Sequence, residues 1–242
     1  MRTVVIIQAR MSSTRLPGKV LLPIGEMTML ERVTTRVRRT RGVAEVVVAT
    51  TTESADDLIV AECRRLSVSC HRGSELDVLD RYYQAAVRHA ADAVVRVTSD
   101  CPLIDPKEIE RILDAFREAS PDYASNAITQ GYLRGLDAEV MTMGALDRAW
   151  KEARLSYHRV HVTPYIYQNP QLFELLPVPF DRDLSGYRWT VDTKEDLDMV
   201  RALCTELAGD DFGWREALVA VEKKPDLAKI NRHVRQKQIE EG

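Results

Sequence analysis

The sequence predicts an α/β fold in which helices cover both faces of an open, mostly parallel sheet. Short apolar runs, the first at residues 4–7, alternate along the chain with longer segments whose apolar residues recur at helical spacing. This alternation is typical of parallel βαβ units. Helices on both faces are the usual arrangement around such a sheet.

The predicted strands are short apolar runs, most of which end at polar or turn-forming residues, as buried strands do. In chain order they cover residues 4–7, 45–50, 68–70, 93–97, 123–128, 138–141, 173–178 and 187–191.

The predicted helices carry an apolar face and recognisable ends. In the first helix Leu30, Val33 and Val37 share one face, and Gly42 is a suitable stop. The helices cover residues 29–41, 57–66, 77–91, from after Pro106 to 119, 145–154, 158–168 despite Pro164, 195–207 and 214–222.

Length and composition narrow the class of protein. The chain has 242 residues, 45% of them hydrophobic and 29% charged, with a net charge of -3, so no basic excess points to nucleic acid. No apolar run approaches the ~18 residues of a membrane span, and the first residues do not resemble a secretion signal. The four cysteines are scattered, which fits reduced thiols. We therefore expect a cytoplasmic protein without nucleic-acid or membrane partners.

One segment follows the first strand directly, and we call residues 9–19 the opening loop. It holds three cations, three hydroxyls, one proline and one glycine, which are Arg10, Arg15, Lys19, Ser12, Ser13, Thr14, Pro17 and Gly18. Ser13 and Val20 break the Walker A pattern, and no G-x-G-x-x-G follows the strand. The loop therefore predicts an anion site built from side chains, with a nucleoside triphosphate as its ligand. The alternative is a solvated basic turn.

Two aspartates follow predicted strands at the edge where open α/β sheets bind ligands. Asp100 follows the strand at 93–97, and Asp192 follows the strand at 187–191. Carboxylates are the ligands that Mg²⁺ prefers, so the pair predicts a magnesium site. The alternative is that each aspartate caps the helix that follows it.

The histidines and cysteines give weaker signals. His158 and His161 are three residues apart on a predicted helix and can share a face. A substrate contact for His158 is one interpretation, and a packing or surface role is the other. Cys101 beside Asp100 is expected to be a small buried residue, because nothing nearby activates a thiolate.

Several motifs together resemble the sugar-activating cytidylyltransferases, which include CMP-Kdo synthetases and acylneuraminate cytidylyltransferases. The similarity is greatest to the spore coat polysaccharide (SpsF-type) branch. The first motif, at residues 9–21, is the most specific. Further motifs lie at residues 77–81, 98–106, 135–140, 161–166 and 189–197.

The resemblance implies a nucleotide-diphospho-sugar transferase fold and attack of a sugar hydroxyl on the α-phosphorus of CTP. By position, it assigns Asp100 and Asp192 to Mg²⁺ and, with Arg10 and Lys19, to catalysis. The nucleotide-binding residues would be Ala9, Arg10, Ser13, Arg15, Lys19, Gly73, Ser74 and Arg81. The acceptor sugar would meet Asp137, Glu139, His158 and Arg188, although the family pattern places an acidic residue just before His161 that this sequence lacks.

These observations predict a Mg²⁺-dependent enzyme that makes a CMP-sugar from CTP and an acidic keto-sugar for surface polysaccharide. The alternatives are a sugar-1-phosphate nucleotidyltransferase that uses another nucleotide and a non-catalytic nucleotide-binding protein. We expect one nucleotidyltransferase domain over residues 1–229 and a polar tail over 230–242. A less regular segment at 123–183 would bind the acceptor, with a homodimer through that segment left open.

Overall fold

A seven-stranded sheet forms the centre of the protein, whose computed structural model describes residues 1–207 and 209–236. The order across this sheet is β5-β4-β1-β6-β8-β7-β9, and β8 alone runs against the others. Strands β2 and β3 form a separate small hairpin. The strands are β1 Thr3–Gln8, β2 Pro23–Ile24, β3 Met27–Thr28, β4 Glu45–Thr51, β5 Ser69–Gly73, β6 Ala93–Thr98, β7 Tyr123–Ser125, β8 Glu139–Thr142 and β9 Leu175–Pro177.

Helices lie on both faces of the sheet, as the sequence predicts. The helices are α1 Met29–Arg38, α2 Asp57–Arg65, α3 Val78–Arg88, α4 Pro106–Ala119, α5 Met143–Glu152, α6 Ser156–His161, α7 Pro164–Tyr167, α8 Lys194–Glu206, α9 Trp214–Lys223 and α10 Asp226–Lys229. No helix within the described residues is long and apolar enough to cross a membrane.

The central strand β1 shows how the sequence creates two cores. Successive side chains of a strand point to opposite faces. Val5 and Ile7 pack with α1, α2 and α4, whereas Val4 and Ile6 pack with α3 and α5. Because both faces are covered, β1 is apolar without interruption over residues 4–7, all of them fully buried. A third cluster joins α8 and α9 to the β2–β3 hairpin.

Two predicted elements are wrong in detail. Residues 187–191 form no sheet strand: their one bridge pairs Arg188 with Arg134, and the Val191 N–H donates to the Asp100 carbonyl at 2.8 Å. The helix predicted at 158–168 is two helices, α6 and α7. Pro164 lacks an N–H and restricts the preceding residue, and the chain turns at Val162 with φ of 74°.

The segment after α10 packs back onto the chain where the structure describes it. Asn231 is 2% exposed, and its side-chain amide donates to the Arg188 carbonyl and to Asp196 Oδ1, both at 2.9 Å. Residues 237–242 of the predicted tail lie outside the described residues. The single domain and the homodimer stay predictions.

Candidate active site

A cleft of about 950 Å³ opens beside the ends of β1 and β6. Its walls come from the opening loop, the loop after β6, residues 127–139 and the segment around Asp192. Ten of the residues predicted from the sequence line it. They are Ala9, Arg10, Ser13, Arg15, Lys19, Arg81, Asp100, Asp137, Glu139 and Asp192.

The opening loop is held in place by a buried carboxylate from the neighbouring strand end. Asp56 is 2% exposed, and its Oδ1 accepts the Met11 N–H at 2.8 Å. Its Oδ2 accepts from the hydroxyls of Thr50 and Thr51. The sequence analysis did not find this role, because a bond between positions 45 residues apart leaves no local pattern.

Lys19 joins the two predicted metal-binding aspartates. Its Nζ donates to Asp100 Oδ2 and Asp192 Oδ1 at 2.9 Å each, and to the Val191 carbonyl at 2.8 Å. Burial alone would lower the pKa of this ammonium, but Asp100 and Asp192 outweigh it and raise the pKa above its ordinary value. Lys19 is therefore charged at neutral pH.

The two aspartates are not helix caps. The side chain of Asp105 caps α4, and that of Thr193 caps α8, where Asp196 completes a capping box. Asp100 and Asp192 are thus left to face the cleft. Asp192 Oδ2 also lies 3.0 Å from the Arg15 guanidinium, so an opening-loop cation meets it directly.

The donor set fits a Mg²⁺ ion that is shared with a substrate. Asp100 and Asp192 already converge on one cation, the Lys19 ammonium. Mg²⁺ is commonly held by one or two carboxylates, with water and phosphate oxygens completing its octahedron. In residues 1–207 and 209–236 no group of three or more His, Cys, Asp or Glu side chains could enclose a metal. Two carboxylates therefore suit an ion that arrives with a phosphate ligand.

Arg81 is a buried cation that faces the cleft. It is 1% exposed and forms no ion pair with a described residue. Within the described residues, its side chain makes one hydrogen bond, from NH1 to the Ser74 carbonyl at 3.2 Å, and its Nε has no partner. Burial, and then the charge of Arg10, lower the pKa of this guanidinium. A buried charge is costly unless paired, so this position favours an anionic ligand.

Gly73 and Ser74 do not line the cleft themselves but pack against Arg81. A Cβ at Gly73 would lie 3.2 Å from Arg81 Cγ, so glycine leaves room for the buried side chain. Ser74 supplies the carbonyl that Arg81 contacts. Their contacts link both residues to the cleft through Arg81.

The far end of the cleft holds a buried polar network. Glu139 accepts hydrogen bonds from Arg96 and, at 2.6 Å, from the Tyr123 hydroxyl. The sequence analysis did not name Arg96, although a charge inside the apolar run of β6 was the available signal. Asp137 lines the cleft nearby.

His158 and Arg188 lie outside the cleft. His158 is 6% exposed, and its Nε2 lies 3.2 Å from Gln168 Oε1, between the rings of Tyr157 and Tyr165. This is a packing position, so the structure favours the second interpretation of His158. His161, not His158, lines the cleft.

Arg188 supports Asp192 from behind. Its guanidinium donates to Asp192 Oδ2 at 2.8 Å and to Asp196 Oδ1 at 2.9 Å. It borders a smaller neighbouring cavity of about 160 Å³. Arg188 thus orients a site residue and does not itself face the main cleft.

Gly135 lies where the backbone of residues 127–139 packs against the backbone of Trp189 and Thr190. Its φ is +105°, and a Cβ there would lie 2.5 Å from the Trp189 carbonyl carbon and 2.6 Å from the Thr190 nitrogen. We expect Gly135→Ala to lower the free energy of unfolding by at least about 1–3 kcal/mol from backbone strain alone. Thermal denaturation measures this. The control is Gly186→Ala, where nothing lies within 4 Å; equal melting temperatures for the two variants would contradict the close contact.

Known proteins resemble this chain over most of its length. A family model described as cytidylyltransferase matches residues 4–230. The spore coat polysaccharide biosynthesis protein SpsF of Bacillus subtilis is 34% identical over 92% of this chain and 95% of its own length.

Solved structures also resemble this chain. A cytidylyltransferase from Leptospira borgpetersenii is 33% identical, covers 98% of this chain and all of its own, and superposes with a TM-score of 0.91. CMP:2-keto-3-deoxy-manno-octonic acid synthetase complexed with CTP shares 20% identity and a TM-score of 0.66 over 86% of this chain and all of its own. The second likeness shows the nucleotide-diphospho-sugar transferase fold.

Proposed function

The chain belongs to the cytidylyltransferase family, and from this premise we propose that it transfers CMP from CTP to a hydroxyl of an acidic keto-sugar. The products are a CMP-sugar and pyrophosphate, Mg²⁺ is the cofactor, and the reaction takes place in the cytoplasm. The similarity to the spore coat polysaccharide biosynthesis protein of Bacillus subtilis supports surface polysaccharide as the destination.

The nucleotide end of the cleft supports a triphosphate ligand. Arg10, Arg15, Lys19 and Arg81 all line it, and a bound triphosphate carries about four negative charges. The observation that carries the proposal is Arg81, a buried guanidinium without a carboxylate partner among the described residues. A solvated basic turn would leave its cations exposed, as Arg10 is, whereas Lys19 of the opening loop is 8% exposed.

The chain's own groups can stabilise the charge that develops during the transfer. An ammonium has three donors, and those of Lys19 are taken by Asp100, Asp192 and Val191. A phosphate oxygen therefore exchanges with one of these bonds when it binds Lys19. Asp100 and Asp192 would hold Mg²⁺, which would offset negative charge on the phosphates and the departing pyrophosphate. Preorganised charge of this kind is the main source of rate enhancement in phosphoryl transfer.

The acceptor end supports a polar sugar. Besides Asp137 and Glu139, polar groups of Thr129, Gln130 and Arg134 line this part of the cleft. Arg134 lies against the Tyr132 ring at 5.1 Å and has no carboxylate partner within 4 Å among the described residues. A cation here is suited to an acceptor with an acid group.

A pyrophosphate-release screen tests the proposal. The full chain is incubated with Mg²⁺ and each of four nucleoside triphosphates, crossed with keto-sugar acids and sugar phosphates. We expect release with CTP and a keto-sugar acid, and no release when the acceptor is left out. Release with another nucleotide and a sugar phosphate would indicate the sugar-1-phosphate alternative. CTP binding without release from any acceptor would indicate a non-catalytic nucleotide-binding protein.

A further inference from the structure

Asp137 has a carboxylate oxygen without a partner in the cleft. Its Oδ1 is buried and accepts no hydrogen bond from the described residues, and its Oδ2 accepts only the Gly135 N–H, at 3.3 Å. Buried polar atoms are nearly always hydrogen-bonded, so an exception in a native site asks for an explanation. A substrate group that donates to Oδ1 would supply it.

The other carboxylates of the cleft are already engaged. Glu139 uses both oxygens, one for Arg96 and one for the Tyr123 hydroxyl. Asp100 and Asp192 share Lys19. Among the cleft carboxylates of the described residues, Asp137 therefore retains a buried oxygen without a hydrogen bond.

The surroundings of Asp137 raise the pKa of its carboxyl toward neutral pH. Burial raises its pKa to about 6, the Gly135 N–H and Arg134 oppose this, and Glu139 and Asp100 reinforce it. Tyr132 and Cys101 are the other titratable groups that face it. A carboxylate with a pKa near the working pH is suited to accept a proton.

Two other roles account for Asp137 less well. As a third metal ligand it would complete a cluster with Asp100 and Asp192, but the described residues contain no such cluster of three. As a structural group it would use both oxygens, and its one bond is long. Asp137 lines the same cleft as Asp100, and the charge of Asp100 acts on its carboxyl.

We propose that Asp137 is the general base of the reaction. Its carboxylate takes the proton of the acceptor hydroxyl as the hydroxyl oxygen bonds to the α-phosphorus of CTP. The bond from the α-phosphorus to the bridging oxygen breaks, and pyrophosphate leaves with its electron pair. This inference rests on the proposed transfer.

The test compares Asp137→Asn with the wild-type enzyme in Mg²⁺, CTP and the acceptor found by the screen. Loss of a general base lowers kcat by about 10²- to 10⁴-fold. CTP affinity, measured by calorimetry, is expected to stay unchanged, because the proposal assigns Asp137 to the acceptor and not to the nucleotide. The wild-type rate falls with decreasing pH below about 6, where Asp137 is protonated, and this limb disappears in Asp137→Asn. Asp137→Glu restores part of the rate.

Asp183→Asn is the matched control, since Asp183 is an exposed aspartate that bonds only to Ser185. Wild-type kcat in Asp137→Asn, or a retained limb near pH 6 that disappears in His161→Gln, would overturn the inference and leave the transfer standing. A raised acceptor KM with unchanged kcat would make Asp137 a binding group and would also overturn it. A wild-type chain that releases no pyrophosphate would overturn both proposals.

Discussion

Replacing Asp100 or Asp192 by asparagine is expected to lower pyrophosphate release by at least about 10²-fold in each variant. Asparagine keeps the shape but removes the negative charge that both Lys19 and a divalent cation require. Burial would raise the pKa of Asp100, but Lys19 lowers it below its ordinary value, so the wild-type group is ionised at neutral pH. Pyrophosphate release measured against Mg²⁺ concentration reports the effect.

The two variants should differ in stability. Among the described residues, Asp192 pairs with three cations, Arg15, Lys19 and Arg188, whereas Asp100 pairs with Lys19 alone. Asp192→Asn is therefore expected to melt at a lower temperature than Asp100→Asn. Asp114→Asn, on the exposed side of α4, is the control for an uncharged amide at a surface position. Wild-type turnover in both folded variants would show that these carboxylates hold no metal.

Lys19→Met is expected to weaken CTP binding about 10- to 100-fold. Methionine keeps the apolar stem of the side chain but lacks the terminal ammonium, and a hydrogen bond to a charged group is worth about 1.5–3 kcal/mol. Removal of Lys19 also leaves Asp100 and Asp192 facing each other without a cation. Calorimetric titration with CTP at fixed Mg²⁺ measures the affinity.

The matched control for Lys19→Met is Lys151→Met, because Lys151 is an exposed lysine on α5 that pairs only with Asp147. Its CTP affinity should equal that of the wild type. If Lys19→Met bound CTP as tightly as Lys151→Met, the ammonium would have no part in holding the phosphates, and Arg10 and Arg81 would have to account for binding.

Local sequence pattern was sufficient for most of the fold. The apolar runs of β1, β4 and β6 and the amphipathic helices have periods that can be read along the chain. The strand predicted at residues 187–191 was wrong, because Trp189 and Val191 pack in the third cluster with α8 and α9 and not in the sheet. A strand and a buried irregular segment differ in their partners, and partners are not visible in a single local run.

The candidate site, like the fold, could be predicted from the sequence only in part. Arg10, Lys19 and Asp100 follow β1 and β6, and the topology of an α/β sheet brings such strand ends together. Asp192 was predicted from a strand at 187–191 that does not form in the sheet. The support given by Asp56, and the contact of Arg96 with Glu139, required knowledge of which strands are neighbours. His158 was misleading because a buried packing histidine and a substrate contact have the same sequence appearance.

The bond between Lys19 and Asp192 joins positions 173 residues apart. The four parallel strands β5, β4, β1 and β6 can pair before the last third of the chain has been synthesised, but Lys19 then lacks one of its two carboxylates. Contacts between residues this far apart in sequence cost the most chain entropy, so we expect them to form last. We therefore expect this part of the cleft to be completed late in folding. A ligand that spans it ties the N-terminal loop to the C-terminal segment, so its binding free energy adds to the stability of the whole chain and not to one local unit.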